Sequence, residues 1–398
     1  MAKICPKCGN ELNDEIQFCG KCGHDFNAKN LCVNCGAELS ANDQFCQNCG
    51  TEQKVETNEK VQDYLKKGFD SFASTINDMA GEEGKAEIHI VELFSGVFKK
   101  HSRDERDDLF ACGSRKTTPK EADMVADWPR PWLYSRILIM FAIVFAGLYF
   151  MMMYFGNSLA VPGIMFIGAL MAPFTALIFF WEMNVPRNIS IYEVVSIFFV
   201  GGVASLVLTL FLYGVLKIGE LDYIGAILVG IAEELGKILV VGFFVKQKNT
   251  KYKLNGLLLG ACVGAGFAVF ETAGYAYLYS QDISSLMHIL TLRGVLAIGG
   301  HVVWAAISGF GLIVAKGDEP LKFKHFLDTR FIKFLALVVA LHAIWDMPIN
   351  TPYCLIQWGL TGIALIVVLI LLNSGLKQVS SIAKRAQNLE KATNTSND

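Results

Sequence analysis

Three glutamates fall inside long apolar runs of this chain. Glu233 and Glu234 lie in residues 226–245, and Glu271 lies in residues 254–279. Two neighbouring runs carry His301 and the pair His342 and Asp346. Burying an ionisable group at bilayer depth is costly unless it is paired or faces water, so such a group marks a functional site by default. Carboxylates and imidazoles are also the side chains that exchange protons near neutral pH and that ligate metals. Six of them on four adjacent runs form a candidate centre for activating water.

The spacings give each residue a place. Glu233 and Lys237 are one helical turn apart and can pair on one face. Glu234 is rotated by about 100° from Glu233. One glutamate is therefore expected to be held by Lys237 while the other faces a cavity. In low dielectric, a carboxyl group becomes usable as a general base at neutral pH. Phe267 precedes Glu271 by one turn, and Gly260, Gly264 and Gly266 before it permit close approach of a neighbouring helix. His342 and Asp346 share a face, so Asp346 can fix the imidazole tautomer. The bland alternatives are a structural ion pair for Glu233 or Glu234, a satisfied lone acid for Glu271 and a core histidine for His301. No His-Glu-x-x-His pattern is present. A serine-protease reading of Ser308-Gly309 fails because Ala306 holds the glycine position.

A second chemistry sits at the other end of the chain. Of eleven cysteines, eight are Cys5, Cys8, Cys19, Cys22, Cys32, Cys35, Cys46 and Cys49. They form two C-x2-C, ten-residue, C-x2-C units, offset by 27 positions. Four thiolates per unit match a tetrahedral zinc site. A glycine follows each pair (Gly9, Gly23, Gly36, Gly50) and permits the turn that aims backbone amides at sulfur. Two structural zinc ions are expected. A disulfide framework is the weaker reading, since no export signal precedes these residues and reducing cytosol disfavours disulfides. Cys112, Cys262 and Cys354 show no ligand spacing and read as packing residues.

The elements that position these groups follow from composition and hydropathy. The 398 residues are 53% hydrophobic and only 18% charged, a mix expected of a multi-span membrane protein. The predicted fold is an all-α polytopic bundle of about eight transmembrane helices behind two small zinc-ribbon modules. The spans are placed at 137–155, 159–181, 191–216, 223–245, 254–279, 293–315, 331–350 and 354–372. The predicted domains are zinc ribbons at 1–27 and 28–52, a polar and amphipathic connector at 53–134, the membrane domain at 135–373 and a tail at 374–398. Within the connector, residues 61–79 carry apolar positions at a helical period. They fit a surface or partner helix, or a plainly solvated one.

Lysines and arginines concentrate after the fourth span (Lys246, Lys248, Lys251, Lys253), after the sixth (Lys316, Lys322, Lys324, Arg330, Lys333) and in the tail. The positive-inside rule then puts both termini in the cytosol of a multi-pass protein of the cell membrane. That orientation places the six polar residues between the midplane and the outer face. One water-filled cavity opening outward is expected.

Glu-Glu-x-x-Lys, Phe-x3-Glu and His-x3-Asp on successive spans resemble the PrsW family of intramembrane proteases. That family is similar to the CAAX-prenyl endopeptidases and Abi proteins. The resemblance covers residues 137–372, and the ribbons lie outside it as a fused module. It implies hydrolysis of peptide bonds within or at the edge of the membrane by glutamic-type chemistry. By motif position, Glu233 and Glu234 take the water-activating role, and His342 and Asp346 the oxyanion or orienting role. Glu271 stands where the CAAX enzymes have His, and His301 can replace that missing imidazole. A membrane-anchored substrate is implied, anti-sigma-factor-like by analogy.

No metal is expected in the membrane site. The alternatives are a zinc metalloprotease on the same residues, and a proton-linked transporter or membrane receptor. No inverted repeat is visible across the spans, which weakens the transporter reading. The ribbons are expected to bind a protein partner or to regulate the protease. Nucleic-acid binding is disfavoured, because their few lysines are balanced by acids and the net charge is −2.

Overall fold

The computed structural model describes residues 2–4, 11–13, 30–31, 34–39, 46–51, 56–84, 86–114, 116–349 and 351–395. The chain divides into two compact units, residues 1–70 and 71–398. In the first, β1 (Ala2–Ile4) pairs antiparallel with β2 (Glu11–Asn13), and β3 (Asn30–Leu31) with β4 (Glu38–Leu39). Each hairpin brackets the first C-x2-C pair of its sequence repeat. Gly36 and Gly50 both have φ of +71°, the left-handed turn expected after a knuckle. Helix α1 (Glu56–Met79) begins in this unit and realises the helical period expected over 61–79. Tyr64 and Leu65 on it are exposed.

The second unit contains α2 (Ile90–Ser95), α3 (Arg103–Ala111), α4 (Leu133–Phe155), α5 (Val161–Glu182), α6 (Ile191–Leu216) and α7 (Tyr223–Lys248). It continues with α8 (Lys253–Tyr279), α9 (Ile283–Leu296), α10 (His301–Lys316), α11 (Thr329–Asp346) and α12 (Leu355–Thr395). No strand occurs among its described residues. Five helices, α4, α5, α6, α8 and α12, are long and apolar enough to cross a membrane. Helix α7 carries Glu233, Glu234 and Lys237, and α11 carries Arg330, Lys333 and Asp346, so neither reads as uniformly apolar.

The continuous sixth span expected at 293–315 is not formed. Helix α9 ends at Leu296, a 3-10 turn covers Ala297–Gly299, and α10 starts afresh at His301. Helix α12 runs past residue 373 to Thr395 without interruption.

Helix α8 is the centre of the bundle. A side chain at Gly260 would meet the Ala305 carbonyl at 2.0 Å, and one at Gly264 the His301 carbonyl at 2.3 Å. The glycine stripe thus lets α10 lie directly against α8. On the opposite side, Gly266 meets the Phe198 carbonyl of α6, with 2.0 Å available to a Cβ. The first turn of α4 is capped from α5: the Glu182 carboxylate accepts from the backbone N–H groups of Trp132, Leu133 and Tyr134 at 2.7, 2.8 and 2.9 Å. Three donors that a helix start leaves open are thereby satisfied.

Residues 71–134 of the connector pack within this unit. Lys253 Nζ donates to the Ala80 carbonyl and to Glu82, and Gln387 near the end of α12 donates to the Ala122 carbonyl at 2.8 Å.

Candidate active site

Helix α7 brings Glu233, Glu234 and Lys237 into the interior, where all three are buried. Lys237 Nζ lies 2.7 Å from Glu234 Oε1 and 3.4 Å from Glu233 Oε2. The pairing of Glu233 with Lys237 that the spacing allows is present, and Glu234 joins it. The three-residue spacing gives the shorter contact, and Lys237 holds Glu234. Its ammonium also lies 4.5 Å from the centre of the Phe267 ring, a cation–π contact from α8.

Helix α11 meets α7 closely at Gly230, where a Cβ would sit 3.2 Å from the Ala343 nitrogen. That approach places His342 Nδ1 2.9 Å from Glu234 Oε1. Its Nε2 lies 3.3 Å from Asp346 Oδ2 and 3.6 Å from Glu233 Oε2. Both Asp346 and Glu234 thus bear on the orientation of this imidazole.

His301 opens α10 and joins two helices. Its Nε2 lies 2.9 Å from Glu271 Oε2, and its Nδ1 lies 2.9 Å from Lys237 Nζ. An ammonium only donates, so Nδ1 accepts and Nε2–H donates to Glu271. His301 Nδ1 is also 3.7 Å from Glu233 Oε2. All six expected membrane residues, with Lys237 and Phe267, therefore share one connected cluster.

Sequence reasoning missed four participants. The Tyr213 hydroxyl donates to Glu233 Oε1 at 2.6 Å. Arg293 donates to Glu271 Oε2 at 2.5 Å and stacks 4.1 Å from the centre of the Tyr275 ring. Trp304 stacks on His342 with ring centres 4.5 Å apart, and its buried Nε1–H has no partner. Thr272 lies 3.5 Å from Arg293 Nε. An arginine within an apolar stretch was the one signal available for Arg293. Tyrosine, tryptophan and threonine carry no such mark in a hydrophobic run.

A cavity of about 230 Å³ adjoins the cluster, lined among others by Thr272, Arg293, His301, Trp304, Trp345 and Gln357. Cys354, expected as a packing residue, also lines it. Glu233 Oε2 and Glu234 Oε2 are buried oxygens without a hydrogen-bond partner. Ser308 Oγ donates to the Ala305 carbonyl at 3.1 Å inside α10, which leaves no nucleophilic arrangement there.

Among the described residues, two groups have donor atoms mutually within 4.8 Å: Cys35, Cys46 and Cys49, and Glu233, His301 and His342. The first suits zinc. Cys5, Cys8, Cys19, Cys22 and Cys32 lie outside the described residues. The second, one carboxylate and two imidazoles, fits the donor set of a catalytic zinc ion, and the unpartnered Glu233 Oε2 supports that fit. The Lys237 ammonium competes for the same His301 and Glu233 atoms.

Comparison with known proteins bears on both ends of the chain. The double zinc ribbon family matches residues 5–50. The PrsW family intramembrane metalloprotease matches residues 146–373, more than half of the chain. The chain belongs to the PrsW family. A relative in that family, Protease PrsW of Clostridioides difficile (strain 630), is 26% identical over 156 residues. That stretch is 38% of this chain and 60% of the relative, so the relative is matched over less than two thirds of its length. No solved structure matches. As a PrsW family member with several membrane-length apolar helices, the chain is a multi-pass membrane protein of an intramembrane protease family, fused to a zinc-binding ribbon module.

Proposed function

We propose that this chain hydrolyses a peptide bond of a membrane-anchored protein, with Glu233 as the general base. The observation that carries this reading is the state of the two adjacent acids. Glu234 Oε1 is tied by Lys237 and His342, whereas Glu233 Oε2 accepts no hydrogen bond, has Lys237 Nζ at 3.4 Å and faces two imidazoles at 3.6 and 3.7 Å. Water held by Glu233 and an imidazole gives its proton to Glu233 as its oxygen attacks the scissile carbonyl. The C–N bond then breaks, and the proton on Glu233 passes to the leaving nitrogen. Arg293 supplies donors at the cavity wall for the carbonyl oxygen, and the buried, unpartnered Trp304 N–H becomes a second donor where substrate reaches it. Tyr213 fixes the Glu233 carboxylate, and Asp346 and Glu234 orient His342.

A metal-dependent form of the same hydrolysis is the second reading. Glu233, His301 and His342 would hold the ion, which when bound would acidify a water molecule and polarise the carbonyl. Zinc content of the purified full chain separates the two. Two ions per chain fit the ribbons alone. Three ions, falling to two in Glu233→Gln, fit an occupied membrane site.

The wider reading keeps eight spans, both termini in the cytosol and an outward-opening cavity. It keeps ribbons at 1–27 and 28–52, a connector at 53–134, a membrane domain at 135–373 and a tail at 374–398. The α9–turn–α10 unit fills the place of one span, and lysine-rich loops after α7 and α10 support the orientation. The substrate class is a membrane-anchored protein, of which an anti-sigma factor is one kind. The ribbons bind two structural zinc ions and a protein partner that regulates cleavage.

The decisive experiment is terminal-peptide profiling of membranes holding the wild type or Glu233→Gln at equal abundance. New termini near a span of another protein, present only with the wild type, support the proposal and name the substrate. Equal profiles with a natural candidate substrate present would sink it.

A further inference from the structure

The segment ahead of α4 has two faces of opposite character. On its inner face Leu93 is buried, and Gly96 packs so closely that a Cβ would lie 2.9 Å from the Arg130 carbonyl. On its outer face Ile90, Val91, Phe94 and Phe98 are exposed, Val91 by 80% and Phe98 by 94%. Ile90 and Phe94 share one face of α2, and Phe98 follows in the turn after the helix. A contiguous apolar patch of this kind marks a contact surface.

Two contacts fix where that patch sits. The Arg136 guanidinium in the first turn of α4 donates to the Lys99 carbonyl at 3.1 Å. The His101 ring stacks on Trp132 with centres 4.0 Å apart. From Arg136, the same face of α4 continues through Ile139, Met140, Ile143 and Val144, all exposed. Only 6% of the apolar window of α4 is buried by protein, so this stripe faces lipid if α4 spans. The patch on residues 90–98 is continuous with its lower end.

The charges beside it are complementary to a lipid surface. Lys99, Lys100 and Arg136 are exposed around Phe98. Three of the acids nearby are engaged elsewhere: Glu92 pairs with Arg130 at 2.7 Å, Glu105 closes the capping box of α3, and Asp107 faces Arg103, while Glu87, Asp104 and Asp108 are exposed. Apolar side chains flanked by lysine and arginine suit an interfacial segment on an anionic bilayer.

We propose that Ile90, Val91, Phe94 and Phe98 insert into the headgroup boundary of an anionic bilayer at the N-terminal end of α4. Lys99, Lys100 and Arg136 sit at the phosphates. The proposal rests on α4 being a span, and not on the chemistry of the active site.

The test uses the full chain in nanodiscs of phosphatidylglycerol and phosphatidylcholine. A photoreactive p-benzoylphenylalanine replaces Phe94, Phe98 or, as a reference, Ile139, and adducts are read by mass spectrometry. The expected result is lipid adducts at all three positions in comparable yield. A Lys99→Glu, Lys100→Glu double variant should lower the yield at Phe98 severalfold when phosphatidylglycerol is present, and leave it unchanged in phosphatidylcholine alone. Lipid adducts at Ile139 with only protein adducts or none at Phe94 and Phe98 would overturn the proposal. Absence of lipid adducts at Ile139 would remove the span itself, and the proposal with it. Equal yields for the variant and wild type would overturn the role of the anionic lipid.

Discussion

Replacing Glu233 with Gln keeps the side-chain volume and an acceptor for the Tyr213 hydroxyl, but removes the proton acceptor. Cleavage by the reconstituted protein should fall about a hundred- to ten-thousandfold while the thermal midpoint holds. Lys237→Met should do the opposite of a clean catalytic change. It strands the buried Glu234 and should destabilise the fold by about 3–5 kcal/mol, measured by thermal or denaturant unfolding in detergent. Trp304→Phe removes an N–H that bonds to nothing in the protein but opens a void at a fully buried ring, so stability should fall by about 1–3 kcal/mol. A cleavage rate that drops well below that of the folded fraction would place the N–H at the reacting carbonyl. The acids and histidines of the site were legible in the sequence because a charge in an apolar run costs energy and demands a reason. Which acid lies nearer Lys237 was not, because positions three and four residues away both share a face with it. Side-chain packing against His301 and Phe267 chooses between them. Tyr213 and Trp304 stayed hidden because aromatic residues belong in membrane helices whether or not they do chemistry.

Helix placement was legible where apolar length alone decides it, as in α4, α5, α6 and α8. The break before His301 was not, since Ala297, Ile298, Gly299 and Gly300 are as apolar as an unbroken span. The glycine stripe of α8 was read in sequence as permitting a close neighbour, and its partners are α10 at Gly260 and Gly264 and α6 at Gly266. Gly264→Leu should therefore drive His301 away from Glu271, with overpacking costing about 1–3 kcal/mol or more. The check is loss of cleavage with insertion into membranes preserved.

At the start of α11, Asp328 accepts from the Arg330 side chain at 2.8 Å and from its backbone N–H at 2.9 Å, which holds the Asp328 carboxyl down to about 2. A lowered value means stabilisation that is full above about pH 4, the range of a free aspartate, and lost as pH falls toward 2. Asp328→Ala should cost about 1 kcal/mol near neutral pH. The difference from wild type in thermal melts should shrink between pH 4 and pH 2.

For the whole molecule, the two units are expected to depend on zinc to different degrees. Chelation should release the ribbon zinc and unfold the first unit, whose described residues include two short hairpins, while the helical unit keeps its far-ultraviolet helix signal. Circular dichroism with zinc release measured in parallel would test this. Helix α12 carries a further consequence. Gln357 near its start lines the cavity, and Gln387 near its other end grips the connector at Ala122. Thirty residues of continuous helix put those two points about 45 Å apart. A stiff rod of that length has leverage: a tilt of a few degrees about its middle shifts both ends by an ångström or more, in opposite directions. If α12 moves as one body, force applied to the connector would reach the cavity wall without any residue of the catalytic cluster being touched.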